Sequence, residues 1–297
     1  MTVSRRDFLN TAAIATAASA LPSAAVAMDP IKRTGTPHMK LSLAAYSFRE
    51  SLAGKQKSMS LDDFVELAST YDLDAVEPTS YYFPDPATPE YCRALRRHAF
   101  LQGLGISGTA VRNTFTHPPG PTLQKEIDHV KKWIDLAAEL NAPSIRIFAG
   151  DLQKGTSEAD AQRWCIDAIQ NACEHAASRG VFLALENHGG IVTTPAQMLP
   201  IVRAVKSNWF GVNLDTGNFR GADPYAELAQ LAPYAVVVQV KTEISVNGQR
   251  QPADFARLIK VLRDVNYRGY VTLEYEASED PRSAVPKHLQ RLRKLIA

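Results

Sequence analysis

From residue 41 onward the chain alternates short apolar runs with longer segments of mixed polarity. The apolar runs cover residues 41–46, 73–77, 105–111, 144–149, 181–186, 210–215, 235–241 and 270–275. Each has the length of one buried strand, and each gap is long enough for the crossover helix that parallel pairing requires. The gaps have helical period: Leu61, Phe64, Val65 and Ala68 recur at three- and four-residue spacing, and 123–140 repeats the pattern. Gly180, Gly211 and Gly269 fall between helical and extended stretches, where helix C-caps are expected. Eight such units without a polar linker predict a single (β/α)8 TIM barrel with eight parallel strands over residues 41–297. A doubly wound open sheet is the competing arrangement, but no GxGxxG or GxxxxGK loop follows any of the runs.

The first 27 residues follow a different pattern. Ser4-Arg5-Arg6-Asp7-Phe8-Leu9 precedes an Ala-rich apolar run, and the segment closes on Ala25-Val26-Ala27. A charged start, a short apolar middle and a small-residue end describe a cleavable export signal. The paired arginines before Phe-Leu resemble the signal read by the twin-arginine translocase. Cleavage near Ala27 and a periplasmic destination are expected, with residues 28–40 as a polar linker.

Composition narrows the class. Lys plus Arg number 33 against 31 Asp plus Glu, and the charged residues are not gathered into a basic cluster, which argues against nucleic acid as a partner. A hydrophobic fraction of 45% excludes a disordered chain. Three cysteines make neither a disulfide framework nor a CxxC metal site. What remains is a globular enzyme or a binding domain, with the possibility of a homo-oligomer left open.

The chemistry gathers at the strand ends, where barrel enzymes place it. Tyr46 ends the first strand, Glu77 the second, Arg112 the third, and Arg146 lies on the fourth. The fifth ends Glu186-Asn187-His188 and the sixth Asp215-Thr216-Gly217-Asn218, the seventh holds Gln239 and Lys241, and the eighth Glu274. Carboxylates from Glu186, Asp215 and Glu274 converging on one mouth repel unless something neutralises them. A hard divalent cation, with the Gln239 amide oxygen as fourth ligand, is one answer. Ion pairs with Arg112, Arg146 and Lys241 are the other.

Four motifs, LALENHGG, NLDTGNF, QVKTE and TLEYE, resemble strands five to eight of the xylose-isomerase-like barrel superfamily. The superfamily contains sugar isomerases and epimerases, hydroxypyruvate isomerase, 3-dehydroshikimate dehydratases and apurinic endonucleases. The resemblance implies metal ligation by Glu186, Asp215, Gln239 and Glu274. In two places the chain departs from the family: Gln239 stands where His is usual, and Asn218 where many members carry a second His. A harder, uncharged ligand tilts the expected ion from zinc toward manganese, magnesium or cobalt.

The resemblance implies a divalent-metal-dependent isomerase or epimerase of a free sugar or keto-sugar, working through an enediolate with Glu186 and Glu274 moving the proton. His188, Lys241, Arg146, Arg112, Glu77, Tyr46 and Asn218 are the candidate substrate contacts. Tyr81, Tyr82, Phe115 and Trp209 are further candidates for stacking on a sugar face. Two other functions stay open: a lyase or dehydratase of 3-dehydroshikimate or keto-glycoside type, and a sugar-binding barrel without catalysis.

Overall fold

The computed structural model describes residues 28–55 and 57–297, so the export-signal segment lies outside the described residues. The strands are β1 (His38–Ala44), β2 (Ala75–Glu77), β3 (Gly105–Ile106), β4 (Thr109–Ala110), β5 (Ser144–Ile147), β6 (Phe182–Glu186), β7 (Phe210–Asp215), β8 (Ala235–Lys241), β9 (Glu243–Val246), β10 (Gln249–Pro252) and β11 (Arg268–Glu274). Around them run α1 (Arg49–Ala53), α2 (Leu61–Ser69), α3 (Pro89–Leu101), α4 (Pro121–Leu140), α5 (Glu158–Arg179), α6 (Pro195–Ala204), α7 (Pro224–Leu231), α8 (Phe255–Asp264) and α9 (Pro281–Ile296). No helix among the described residues is long and apolar enough to cross a membrane.

Nine strands form one parallel sheet in the order β3-β2-β1-β11-β8-β7-β6-β5-β4. Its two outer members, β3 and β4, are halves of the expected third strand, split at Ser107-Gly108. β3 pairs with β2 and β4 with β5, so the split strand bridges both edges. A lone bridge from Thr79 to Ala110 and a bond from the Thr109 hydroxyl to the Pro78 carbonyl draw the seam together. The eight expected strand positions are therefore present. Gly108 falls in the break, where a Cβ would lie 3.0 Å from the Ser144 hydroxyl and 3.5 Å from the Glu77 carboxylate.

Every residue of β5 and β7 is buried, because helices cover one face and the barrel core fills the other. That double burial produces the near-continuous apolar runs in the sequence. Ser60, Thr88, Ser157, Thr194, Asp223 and Asp254 each accept a backbone N–H at a helix start, worth about 1 kcal/mol apiece. Helix faces close the shell: α5 buries Ala161, Cys165, Ala168, Ile169, Ala172 and Cys173 along one side.

Two expectations need correction. Gly180 does cap α5 in the left-handed conformation, with φ of 69°. Gly211 and Gly269, however, lie inside β7 and β11, where neighbouring side chains press against the backbone. Residues 28–37 are not a free linker. The Ile31 N–H donates to the Pro233 carbonyl at 2.9 Å, Arg33 stacks 5.2 Å from the Tyr267 ring, and β1 already starts at His38. After β8 the chain adds an antiparallel hairpin, β9–β10, of short strands, and all four residues of β10 are exposed.

A Cβ added at Gly211 would lie 2.4 Å from Val236 Cγ1 and 3.2 Å from the Tyr234 carbonyl. Gly211→Ala is therefore expected to cost about 1–3 kcal/mol by overpacking. Urea unfolding checks this, and an unchanged midpoint would show that the β7–β8 contact yields without cost.

Candidate active site

At the C-terminal mouth of the barrel a cavity of about 330 Å³ opens between the strand ends. That is the lower end of the range for small-molecule sites, roughly 300–1,000 Å³. Glu186, His188, Gln239, Lys241 and Glu274 line one part of it, and Tyr46, Arg112 and Arg146 another. Asp215 and Glu77 lie beneath its floor, both essentially buried. Asn218 borders a separate polar recess on the hairpin side.

Parallel register explains the convergence. Glu186 aligns with Asn213, Asp215 with Gln239, and Glu274 with Lys241, so the site residues of four neighbouring strands stand at stepped levels of the sheet and gather at one mouth. Asn187 ties two of them: its amide donates to the Asp215 carbonyl at 2.9 Å and accepts the Asp215 N–H at 2.9 Å.

The carboxylates are met by two buried cations. Lys241 Nζ stands 3.4 Å from Asp215 Oδ2, 3.1 Å from Glu274 Oε2 and 3.1 Å from Glu276 Oε2. Arg146 Nε stands 3.0 Å from Glu186 Oε2, an ionic contact not aligned as a hydrogen bond. Its other nitrogens donate to the Val111 carbonyl and the Tyr81 hydroxyl. The Asn218 amide donates to the remaining Glu186 oxygen at 3.0 Å. Arg146 also lies 3.9 Å from the Phe148 ring, and Phe148 packs 4.3 Å from His188.

Burial dominates the titration of these groups. It pushes the Glu186 carboxyl up to about 7 against the pull of Arg146. It raises Asp215 well above the usual carboxylate range, although Lys241 opposes the rise. Burial alone would lower Lys241, but Asp215, Glu274 and Glu276 outweigh it and hold the ammonium protonated. Burial, then Arg146 and Lys241, keep His188 below its ordinary value, so the imidazole is neutral at pH 7.

Under the floor lies a second network. Gln239 donates from Nε2 to Glu77 Oε1 at 2.6 Å, and its Oε1 accepts from Asn213 Nδ2 at 2.7 Å. Burial, with help from Glu274, raises the Glu77 carboxyl to about 8. Glu77 therefore positions Gln239 and does not face the cavity.

Do these residues suit a divalent ion? The buried, unpartnered Asp215 Oδ2 and the surrounding carboxylates have the right chemistry. Their arrangement does not. Among the described residues no three His, Cys, Asp or Glu side chains are grouped to hold a metal. Lys241 stands between Asp215 and Glu274, Arg146 and Asn218 hold Glu186, and both ends of the Gln239 amide are engaged. The four residues come to one mouth, but not to one ion.

Of the other candidates, Arg112 is exposed, stacks 4.9 Å from the Tyr81 ring and pairs with none of the three acids. Phe115 is fully buried, and Trp209 packs on Phe182 at the opposite end of the barrel, so neither serves the mouth. Glu276 and Phe148 fall at strand ends in the sequence but carry no expected role there, and both line the cavity. Both stand two residues beyond a recognised site residue, Glu274 and Arg146, and that two-residue period was the available signal.

Residues 65–295 match the family model for the xylose isomerase-like TIM barrel. No curated protein matches the chain. Similar solved structures include a xylose isomerase domain protein from Planctomyces limnophilus, at 18% identity and a TM-score of 0.68, covering 88% of this chain and 98% of that one. The D-psicose 3-epimerase of Clostridium cellulolyticum H10, solved with D-tagatose, is 14% identical with a TM-score of 0.71, covering 87% and 99%. The IOLI protein, solved with a zinc atom, is 20% identical with a TM-score of 0.67, covering 86% and 96%. At these identities the likeness is one of fold.

Glu77 leaves a measurable mark on stability. Its carboxyl is raised from 4.5 in an open chain to about 8 when folded, so its contribution is complete below pH 4.5 and is lost as pH rises through 8. Glu77→Gln should lose less stability than the parent between pH 5 and 8, by on the order of a few kcal/mol. Urea unfolding across that range measures the difference; parallel curves would mean that Glu77 is ionised in the folded protein.

Proposed function

Since the chain belongs to the xylose isomerase-like TIM barrel family, we propose that it is a sugar isomerase or epimerase moving a proton next to the carbonyl of a keto-sugar through an enediolate. The carrying observation is that Glu186 and Glu274, from β6 and β11, line one monosaccharide-sized cavity together with Arg146 and Lys241. One carboxylate takes the proton from carbon, the electron pair moves onto the carbonyl oxygen, and the other carboxyl returns a proton. A Glu186 carboxyl near 7 can exist in either state at neutral pH. The Arg146 guanidinium and Lys241 ammonium are fixed charges beside the oxygen that becomes negative, where preorganised donors count most. Tyr46 and Tyr81, packed edge to face with ring centroids 6.5 Å apart, both line the cavity and offer ring surface to a sugar. No step is assigned to a divalent ion, because the expected ligands are not arranged around one.

The likeness to an epimerase crystallised with a keto-sugar supports this reading. We also propose that residues 1–27 direct export by the twin-arginine route, in keeping with a free rather than a phosphorylated sugar. Replacing Arg5 and Arg6 by lysine should then retain the protein in the cytoplasm; undiminished appearance in the periplasm would sink the export reading.

Glu186→Gln and Glu274→Gln should each lower kcat by about 10²–10⁴-fold, the usual worth of a positioned acid or base. In deuterium oxide the parent should place deuterium on the carbon beside the carbonyl. Full turnover by either variant removes that residue from the mechanism, and a dehydrated product in place of a labelled sugar would move the protein to the lyases.

A further inference from the structure

The mismatch between the expected ligands and their arrangement centres on one side chain. We infer that Lys241 is the resident counter-cation of the barrel mouth and competes with divalent ions for Asp215 and Glu274.

Lys241 Nζ lies 3.4 Å from Asp215 Oδ2 and 3.1 Å from Glu274 Oε2, between the two carboxylates. An ion bound to both oxygens at about 2.0–2.6 Å would lie between them too. The ammonium and such an ion cannot share that space, and their like charges repel strongly where water is excluded. Asp215 Oδ2 is buried and has no hydrogen-bond partner, so neutralising it falls to whatever cation stands there.

The lysine is also held in place. Its side chain is 11% exposed. Its N–H donates to the Thr216 hydroxyl at 2.9 Å, and Thr216 N–H in turn donates to the Gln239 carbonyl. The aliphatic stem packs on Gly217, where a Cβ would come within 2.6 Å of Lys241 Cγ and 2.8 Å of Lys241 Cβ. Glu276, whose side chain is 40% exposed, holds the outer side of the ammonium at 3.1 Å. Other charges around the site are engaged elsewhere, Arg146 on Glu186 foremost.

Competition of this kind is a matter of cation binding, apart from the sugar chemistry. It is tested by titrating Mn²⁺ calorimetrically into the purified, chelator-treated protein and into Lys241→Met and Lys241→Gln. The glutamine can still hydrogen-bond to Asp215 and Glu274 should the methionine variant fail to fold, and circular dichroism verifies folding. At least one folded variant should bind Mn²⁺ tenfold or more tightly than the parent, and adding Asp215→Asn should abolish the gain. Equal or weaker binding by the folded variants overturns the inference. So does a gain that survives Asp215→Asn, since the ion would then lie elsewhere.

Discussion

A buried excess of negative charge governs this barrel mouth. Glu77, Glu186, Asp215 and Glu274 are all withdrawn from water, and an isolated buried carboxylate costs far more than a folded domain can spare. Each therefore has a partner or holds a proton. Glu186 has Arg146 and Asn218, Asp215 and Glu274 share Lys241, and Glu77 shifts toward the neutral form beside Gln239. The packing of the mouth follows from these pairings: Gly217 leaves room for the lysine stem, and Phe148 supports the Arg146 plane.

The parallel sheet makes such a concentration of charge achievable. Parallel strands deliver their ends to the same mouth, so residues distant in the chain meet there. Glu77 and Gln239, 162 residues apart, are 2.6 Å from one another. The same geometry separates two layers. Residues two positions apart along β8, Gln239 and Lys241, both point inward, but one belongs to the floor and the other to the mouth. This layering explains how a family motif can be present while its members take unequal roles.

Much of the architecture was legible in the chain. Apolar runs with helix-length gaps located all eight strand positions, because double burial leaves few polar residues inside a parallel strand. Where reading went astray, local signals had tertiary causes. Gly211 and Gly269 look like helix caps but make room for Val236 and Tyr267. Gly108, in the split of the third strand, leaves room for Ser144 and Glu77 across the seam, which no local pattern records. Residues 28–37 look like a linker because they are polar, yet their hydrogen bonds and Arg33 fasten them to the foot of the barrel.

The candidate site divides in the same way. Sequence alone brought Glu186, His188, Gln239, Lys241 and Glu274 to the mouth, since strand ends follow from hydrophobic period and the motifs fall at those ends, but it did not separate them from Asp215 and Glu77 beneath the floor or from Phe115 and Trp209 away from it. It also posed the alternatives for neutralising the acids, a divalent ion or the arginines and lysine. Only the tertiary structure decided how the side chains pair: Lys241 between Asp215 and Glu274, Arg146 on Glu186, Gln239 turned down to Glu77 and Asn213, Arg112 left to Tyr81. The physical reason is that strand position is a one-dimensional property of burial, whereas charge pairing depends on distances of 3–4 Å between side chains from different strands.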